Sequence, residues 1–121
     1  MKHIDLADER IEQDKMIEVV EKQPKQSQAV LFSIICLLQN DKRRIETGEV
    51  YEKYVETCRN VNLPALTQRR VSDLLGELDM LGIINAKVIS KGRHGRTREI
   101  YMTLPSSILE KIKDMLSQSL V

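Results

Sequence analysis

The sequence predicts a mainly α-helical fold that carries a small β-hairpin. Apolar residues recur at helical spacing in three segments, 27–38, 49–59 and 67–81. Two β-rich runs follow, 83–89 and 97–104, with Gly92 and Gly95 between them. Pro64 interrupts the chain between the second and third of these helices and leaves only a short turn. Two helices joined by a short turn and followed by a hairpin indicate a winged helix-turn-helix.

The first part of the chain predicts one weak helix and one strong helix. Residues 5–22 are highly charged, and their apolar residues do not form one clean stripe. After Pro24, Ser27 is expected to cap a second helix that runs through Leu38 and is apolar nearly all round. Such a helix belongs at the centre of the core. The segment from Asn40 to Ile45 is expected to be a polar loop.

Two amphipathic helices come next. In the helix over 49–59, the apolar positions are Val50, Tyr51, Tyr54, Val55 and Cys58. Thr67 is expected to cap the following helix, and Gly82 is expected to end it. The apolar stripe of that helix consists of Val71, Leu74, Leu75, Leu78 and Leu81. These residues are expected to face the core.

The C-terminal part predicts the hairpin and one more helix. Ile100, Met102 and Leu104 alternate with polar residues or tyrosine, as in a half-buried strand. After Pro105, Ser107 and Glu110 are spaced as a capping box for an amphipathic helix. The sequence thus divides into a linking helix (1–24), a winged-helix domain (25–104) and a C-terminal helix packed on that domain (105–121).

Composition excludes several function classes. The chain is 41% hydrophobic and 31% charged, and no apolar run approaches the roughly 20 residues that span a bilayer. The N-terminus lacks the apolar segment of a signal peptide, so we expect a cytoplasmic protein. No phosphate-binding loop or nucleophile–base pair is visible. We therefore expect no enzyme activity, no cofactor, no small-molecule substrate and no membrane contact.

The cysteines and histidines do not form a metal site. Cys36 and Cys58 are far apart, and His3 and His94 are isolated, so the spacing of a zinc site is absent. Both cysteines fall among apolar residues. We expect two buried, reduced thiols and no bound metal.

The net charge of +1 conceals a gradient along the chain. Residues 1–22 carry seven acidic residues against four basic ones, whereas residues 85–98 carry five basic residues and no acidic one. A local basic patch on a nearly neutral chain indicates a specific anionic contact.

Two elements are candidates for contact with DNA. Gln68, Arg69 and Arg70 lie at the start of the helix over 67–81, where a recognition helix reads base edges in the major groove. An ordinary solvated helix face explains these residues equally well. The hairpin tip is the sharper signal, because arginines on a slim loop can enter the minor groove. It combines Lys91, Arg93, Arg96 and Arg98 with Gly92, Gly95 and His94. A hairpin whose charges serve only solubility is the alternative.

Four runs carry a resemblance to a known family. They are TGEVYEKY (47–54), LTQRRVSDLL (66–75), LDMLGII (78–84) and the hairpin KGRHGRTR (91–98). Over roughly residues 20–104 the chain resembles the C-terminal domain of archaeal replication initiators, the origin-recognition and cell-division-control family.

The resemblance implies binding of double-stranded DNA at replication origins and association with the chromosome. Thr67, Gln68, Arg69, Arg70 and Ser72 would then serve the recognition helix, and Lys91, Arg93, His94, Gly95, Arg96 and Arg98 the wing. In this family a AAA+ ATPase module precedes the domain, and residues 1–22 would be the helix that connects to it. The replicative helicase and other initiator subunits are the implied protein partners.

Two other functions remain open for this fold. A free-standing transcription regulator would dimerise through its terminal helices and bind palindromic DNA. A winged helix that docks another protein would not need a wing free of acidic residues.

Overall fold

The computed structural model describes residues 6–39, 45–90 and 96–120. Within them, five helices surround one apolar core, and a small antiparallel sheet lies at its edge. In chain order the elements are α1 (Leu6–Glu21), α2 (Lys25–Gln39), β1 (Ile45–Glu46), α3 (Thr47–Val61), α4 (Gln68–Met80), β2 (Ile84–Ser90), β3 (Arg96–Met102) and α5 (Ser106–Leu120). The predicted fold class, mainly helical with a small hairpin, is confirmed.

The sheet contains one strand that the sequence did not predict. Strands β2 and β3 form the expected hairpin, in register from Ile84 opposite Met102 to Ser90 opposite Arg96. The two residues of β1 pair with the other edge of β3, where Ile45 lies opposite Ile100. The predicted polar loop was wrong at Ile45, which belongs to β1 and is fully buried, and the rest of that loop, residues 40–44, lies outside the described residues. A two-residue strand is too short to show a period and is defined only by its pairing.

The predicted starts of α2 and α5 were wrong, because a proline occupies the N-cap position of each helix and its carbonyl accepts the first helical hydrogen bond. The amide of Gln28 donates to the carbonyl of Pro24, so α2 begins at Lys25 and Ser27 is buried inside its first turn. The amides of Ile108 and Leu109 donate to Pro105 in the same way, so α5 begins at Ser106. Ser107 is therefore no N-cap. Proline suits this position because its missing N–H is not needed there.

The ends of α3 and α4 follow local rules. Glu46 and Glu49 form a capping box, which starts α3 two residues before the predicted position. Thr67 caps α4 as predicted, with its hydroxyl accepting from the amide of Arg70 at 3.2 Å. Gly82, with a φ of +79°, follows the helix end in the left-handed conformation.

Helix α2 lies at the centre of the core, as predicted, and packs against α3, α4 and α5. The stripe of α4 enters the same core through Val71, Leu74, Leu75 and Leu78, all buried. Leu81 departs from the predicted stripe, because it lies beyond the last helical turn and is 41% exposed. Helix α5 packs on α1 and α2 and buries Ile108, Ile112, Leu116 and Leu120 in the same core.

Cys36 and Cys58 are both free thiols, but only Cys58 is fully buried. Cys36 is half-buried, which corrects the prediction of two buried thiols. Burial raises the pKa of both thiols and keeps them protonated near neutral pH. Among the residues that the structure describes, no cluster of histidine, cysteine and acidic side chains could hold a metal ion.

Candidate nucleic-acid interface

The first turns of α4 present a polar face to solvent. The stripe of Val71, Leu74, Leu75 and Leu78 is buried, whereas the residues at the start of the helix, Thr67, Gln68, Arg69 and Arg70, are exposed and Ser72 is half-buried. At helical spacing, Arg69 lies opposite the buried stripe. No acidic residue lies in this first turn. The positive end of the helix dipole therefore adds to the charge of the two arginines. The structure thus brings together the five residues that were predicted for the recognition helix.

The two neighbouring arginines have different surroundings. Arg70 Nη1 lies 3.9 Å from Asp73 Oδ2, and both side chains are more than half exposed. An exposed pair of this kind contributes little stability. Arg69 instead lines the cleft between α4 and the hairpin. In the described part of the chain, no acidic group lies within ion-pair distance of Arg69.

The cleft between α4 and the base of the hairpin has a volume of about 400 Å³. It is lined by Thr47, Gln68, Arg69, Ser72, Val88, Thr97 and Arg98. Three hydroxyl groups and two guanidinium groups thus face one concave surface. Guanidinium and hydroxyl donors are the groups with which proteins hold phosphate oxygens.

Arg98 joins three elements at the bottom of this cleft. Its backbone N–H donates to Thr47 Oγ1 at 3.1 Å, and its Nε donates to Ser72 Oγ at 3.4 Å. The guanidinium lies over Gly76, where a Cβ would be 3.4 Å from Arg98 Nη2. Arg98 was predicted as a wing residue, and the structure places it at the base of the wing, against the recognition helix. No described acidic side chain lies within ion-pair distance of it.

The tip of the wing lies outside the described residues. This applies to Lys91, Arg93, His94 and Gly95, so their predicted contacts stay predictions. Arg96 is described as the first residue of β3, with its backbone opposite Ser90. The described strands β2 and β3 are paired up to Ser90 and Arg96.

Thr47, Val88 and Thr97 line the cleft but were missed in the sequence. Thr47 is far from the other lining residues in the chain, and only the pairing of β1 brings it to Arg98. Val88 continues the face of β2 that buries Ile84 and Ala86, yet it is 53% exposed. This face of β2 therefore leaves the core at Val88, which lies opposite Arg98 in the strand pair. Sequence alternation gives no signal for where a strand leaves the core.

No helix in the described part of the chain has the length and apolar character needed to cross a membrane. The helix-turn-helix, the paired strands of the wing and the polar cleft between them define a winged-helix domain.

The chain belongs to a family of replication proteins. Residues 18–112 match the family model "CDC6, C terminal winged helix domain", which confirms the family predicted from the sequence. The chain is 50% identical over 110 residues to ORC1-type DNA replication protein 4 of Haloarcula marismortui, covering 91% of this chain and 21% of that protein. It is 53% identical over 105 residues to the ORC1-type DNA replication protein of Pyrococcus furiosus, covering 87% and 25%. The chain thus spans about a quarter or less of these relatives.

Solved structures share the fold. The Aeropyrum pernix Orc1 protein, solved in complex with DNA, matches with a TM-score of 0.79 and 38% identity, over 95% of this chain and 30% of that one. The Cdc6p protein of Pyrobaculum aerophilum matches with a TM-score of 0.71 over 86% of this chain and 25% of that one. Its identity of 16% supports the fold alone.

Proposed function

We propose that this chain is the DNA-binding domain of a replication initiator and that it docks on double-stranded DNA at replication origins. The observation that carries the proposal is the cleft, where Arg69 and Arg98 lie beside three hydroxyl groups without an acidic partner in the described residues. Cations collected in this way without counter-charges are suited to a polyanion. The relationship to an Orc1 protein that was solved with DNA gives independent support.

The interface divides into three roles. The first turn of α4 enters the major groove, where Gln68 and Arg69 reach base edges, with Thr67 and Arg70 beside them. Ser72 and Arg98, lying deeper in the cleft, hold the sugar–phosphate backbone that runs between helix and wing. The remaining residues serve the wing, which contacts the minor groove; they are Lys91, Arg93, His94, Gly95 and Arg96.

The domain acts by binding and carries no catalytic step. The chain spans about a quarter or less of its relatives, so we place the ATPase module implied by the resemblance outside the matched part. The replicative helicase and other initiator subunits stay proposed partners. Dimerisation through the terminal helices, which a transcription regulator would need, is disfavoured by α5. Its apolar face is already buried inside the chain through Ile108, Ile112 and Leu116.

Titration of labelled duplexes by fluorescence anisotropy tests the proposal. The probes are a duplex that the wild-type chain enriches from a randomised pool and a scrambled duplex of the same composition. With about four to six phosphate contacts, log affinity should fall against log salt with a slope of about −4 to −5. A slope near zero would overturn the proposal, as would an enriched sequence that is missing from the chromosome's replication origins.

Variants separate the roles within the interface. Arg93→Ala combined with Arg96→Ala should weaken both duplexes by a similar factor and flatten the slope by about two. Arg69→Ala should cost about 1–3 kcal/mol on the enriched duplex and much less on the scrambled one. Lys111→Ala is the matched control, because it removes one exposed positive charge from α5, away from the cleft. The reverse pattern would show that the roles of wing and helix are exchanged.

A further inference from the structure

The turn that leads into the recognition helix is held by side chains from outside it. Residues 62–67 connect α3 to α4, and Pro64 within the turn has no N–H to donate. The amide of Leu66 donates to Tyr54 Oη at 2.8 Å. The carbonyl of Leu66 accepts from Tyr51 Oη at 3.0 Å. Both backbone groups of the residue before the N-cap of α4 are thus bound by tyrosines of α3.

A glutamine of α2 closes the arrangement. The hydroxyl of Tyr54 donates to Gln26 Oε1, and Gln26 Nε2 donates to the carbonyl of Pro64 at 2.7 Å. Tyr54 is fully buried, and the centroids of the two tyrosine rings lie 6.0 Å apart. Hydrogen bonds therefore link α2, α3 and two residues of the turn, Pro64 and Leu66. We name the side chains of Gln26, Tyr51 and Tyr54 the tyrosine clamp.

The apolar contacts of α4 cannot supply the same constraint. Burial of Val71, Leu75 and Leu78 favours contact with the core, but the hydrophobic effect has no direction. Hydrogen bonds depend steeply on distance and angle. Arg69 lies only three residues beyond Leu66, so a shift of the helix start carries its guanidinium with it. A bidentate contact with a base edge needs placement within about half an ångström.

We propose that the tyrosine clamp positions the recognition helix for base reading, so that Gln26, Tyr51 and Tyr54 set sequence discrimination without touching DNA. The inference rests on the proposed function. The clamp residues have a positioning role, whereas the cleft residues contact DNA directly. Loss of a clamp hydroxyl should therefore affect the enriched duplex and spare the contacts with phosphates, which depend on charge and tolerate small shifts.

The test uses Tyr51→Phe, Tyr54→Phe and Gln26→Met, titrated with the enriched and scrambled duplexes across salt. Each variant should bind the enriched duplex about three- to tenfold more weakly, the effect of about one hydrogen bond. Affinity for the scrambled duplex and the salt slope should stay close to wild type. Tyr101→Phe is the matched control, because its hydroxyl contacts Glu99 at 2.9 Å on β3 and lies outside the clamp.

The outcomes distinguish this inference from the proposed function. If the wild-type chain binds neither duplex, the proposed function fails. If it discriminates between them and folded clamp variants keep its discrimination ratio within twofold, the positioning role is wrong. Equal losses on both duplexes would also overturn it, because a purely structural role predicts them. Urea melts confirm folding, and if the buried Tyr54→Phe does not fold, the half-buried Tyr51 and Gln26 carry the test.

Discussion

Replacing Arg98 with alanine should weaken DNA binding and reduce its dependence on salt. The guanidinium lies at the bottom of the cleft, bound to Ser72 Oγ at 3.4 Å and resting over Gly76. Since no described acidic residue neutralises it, its charge is available for a phosphate. Arg98→Lys keeps that charge but loses the planar fork of donors, so it separates charge from geometry.

The expected magnitude follows from one phosphate contact. Its loss should flatten the salt slope by about 0.9, which reduces the change in affinity between 50 and 200 mM salt by about 3.5-fold. Affinity at the lower salt should fall by about 1–2 kcal/mol for Arg98→Ala. The fold should survive, because the variant loses one long hydrogen bond and the packing of the side-chain stem, about 0.5–1 kcal/mol.

Anisotropy titrations at three or more salt concentrations measure the slope, and urea melts check the fold. Arg98→Lys should keep a slope near wild type while binding more weakly. Lys111→Ala should change neither quantity, although it removes the same charge. A folded Arg98→Ala variant with the wild-type slope would refute the assignment of Arg98 to a phosphate.

Three further predictions concern the scaffold. Leu75→Ala should lower the free energy of unfolding by about 2–4 kcal/mol in urea melts, because this side chain is 0% exposed, and a loss below about 0.5 kcal/mol would contradict its place in the core. Asn62, which follows α3 with a φ of 60°, should tolerate glycine, whereas Asn62→Val should cost about 1–2 kcal/mol; equal melts for the two variants would argue against the left-handed cap. Burial raises the pKa of Tyr54 from 10.0 to about 12, so the unfolded chain releases this proton first, and stability should fall as pH rises through that window. In urea melts, Tyr54→Phe should lose that part of the pH dependence of stability. A pH profile of stability equal to that of the wild-type chain would contradict the role of Tyr54.

The sequence determined the helices and their order through local rules. A helix with a long apolar stripe, such as α4, buries the same face in any fold of this type, and its period appears in a short stretch of chain. Thr67 and Gly82 were assigned correctly for the same reason, because each acts on backbone within a few residues. The starts at Lys25 and Ser106 were missed, because a proline carbonyl accepts the first helical bond without any side-chain signal.

The sequence also determined the family, through short runs in the helices and the wing that the family model bears out. Those runs named the residue types that meet DNA in the proposed function. They did not show which of two adjacent arginines enters the cleft. In the structure Arg69 lines the cleft, whereas Arg70 lies 3.9 Å from Asp73.

Only the tertiary structure decided the geometry of the interface. The pairing of β1 brings Thr47 to Arg98, and the packing of the hairpin beside α4 places the Arg98 guanidinium over Gly76 instead of at the wing tip. The tyrosine clamp likewise joins α2, α3 and the turn through residues up to 40 positions apart, as in the contact of Gln26 with Leu66 through Tyr54. Such contacts form where separate elements meet in the folded chain. Local periodicity determines which face of each element is buried, but not which residue of another element lies opposite.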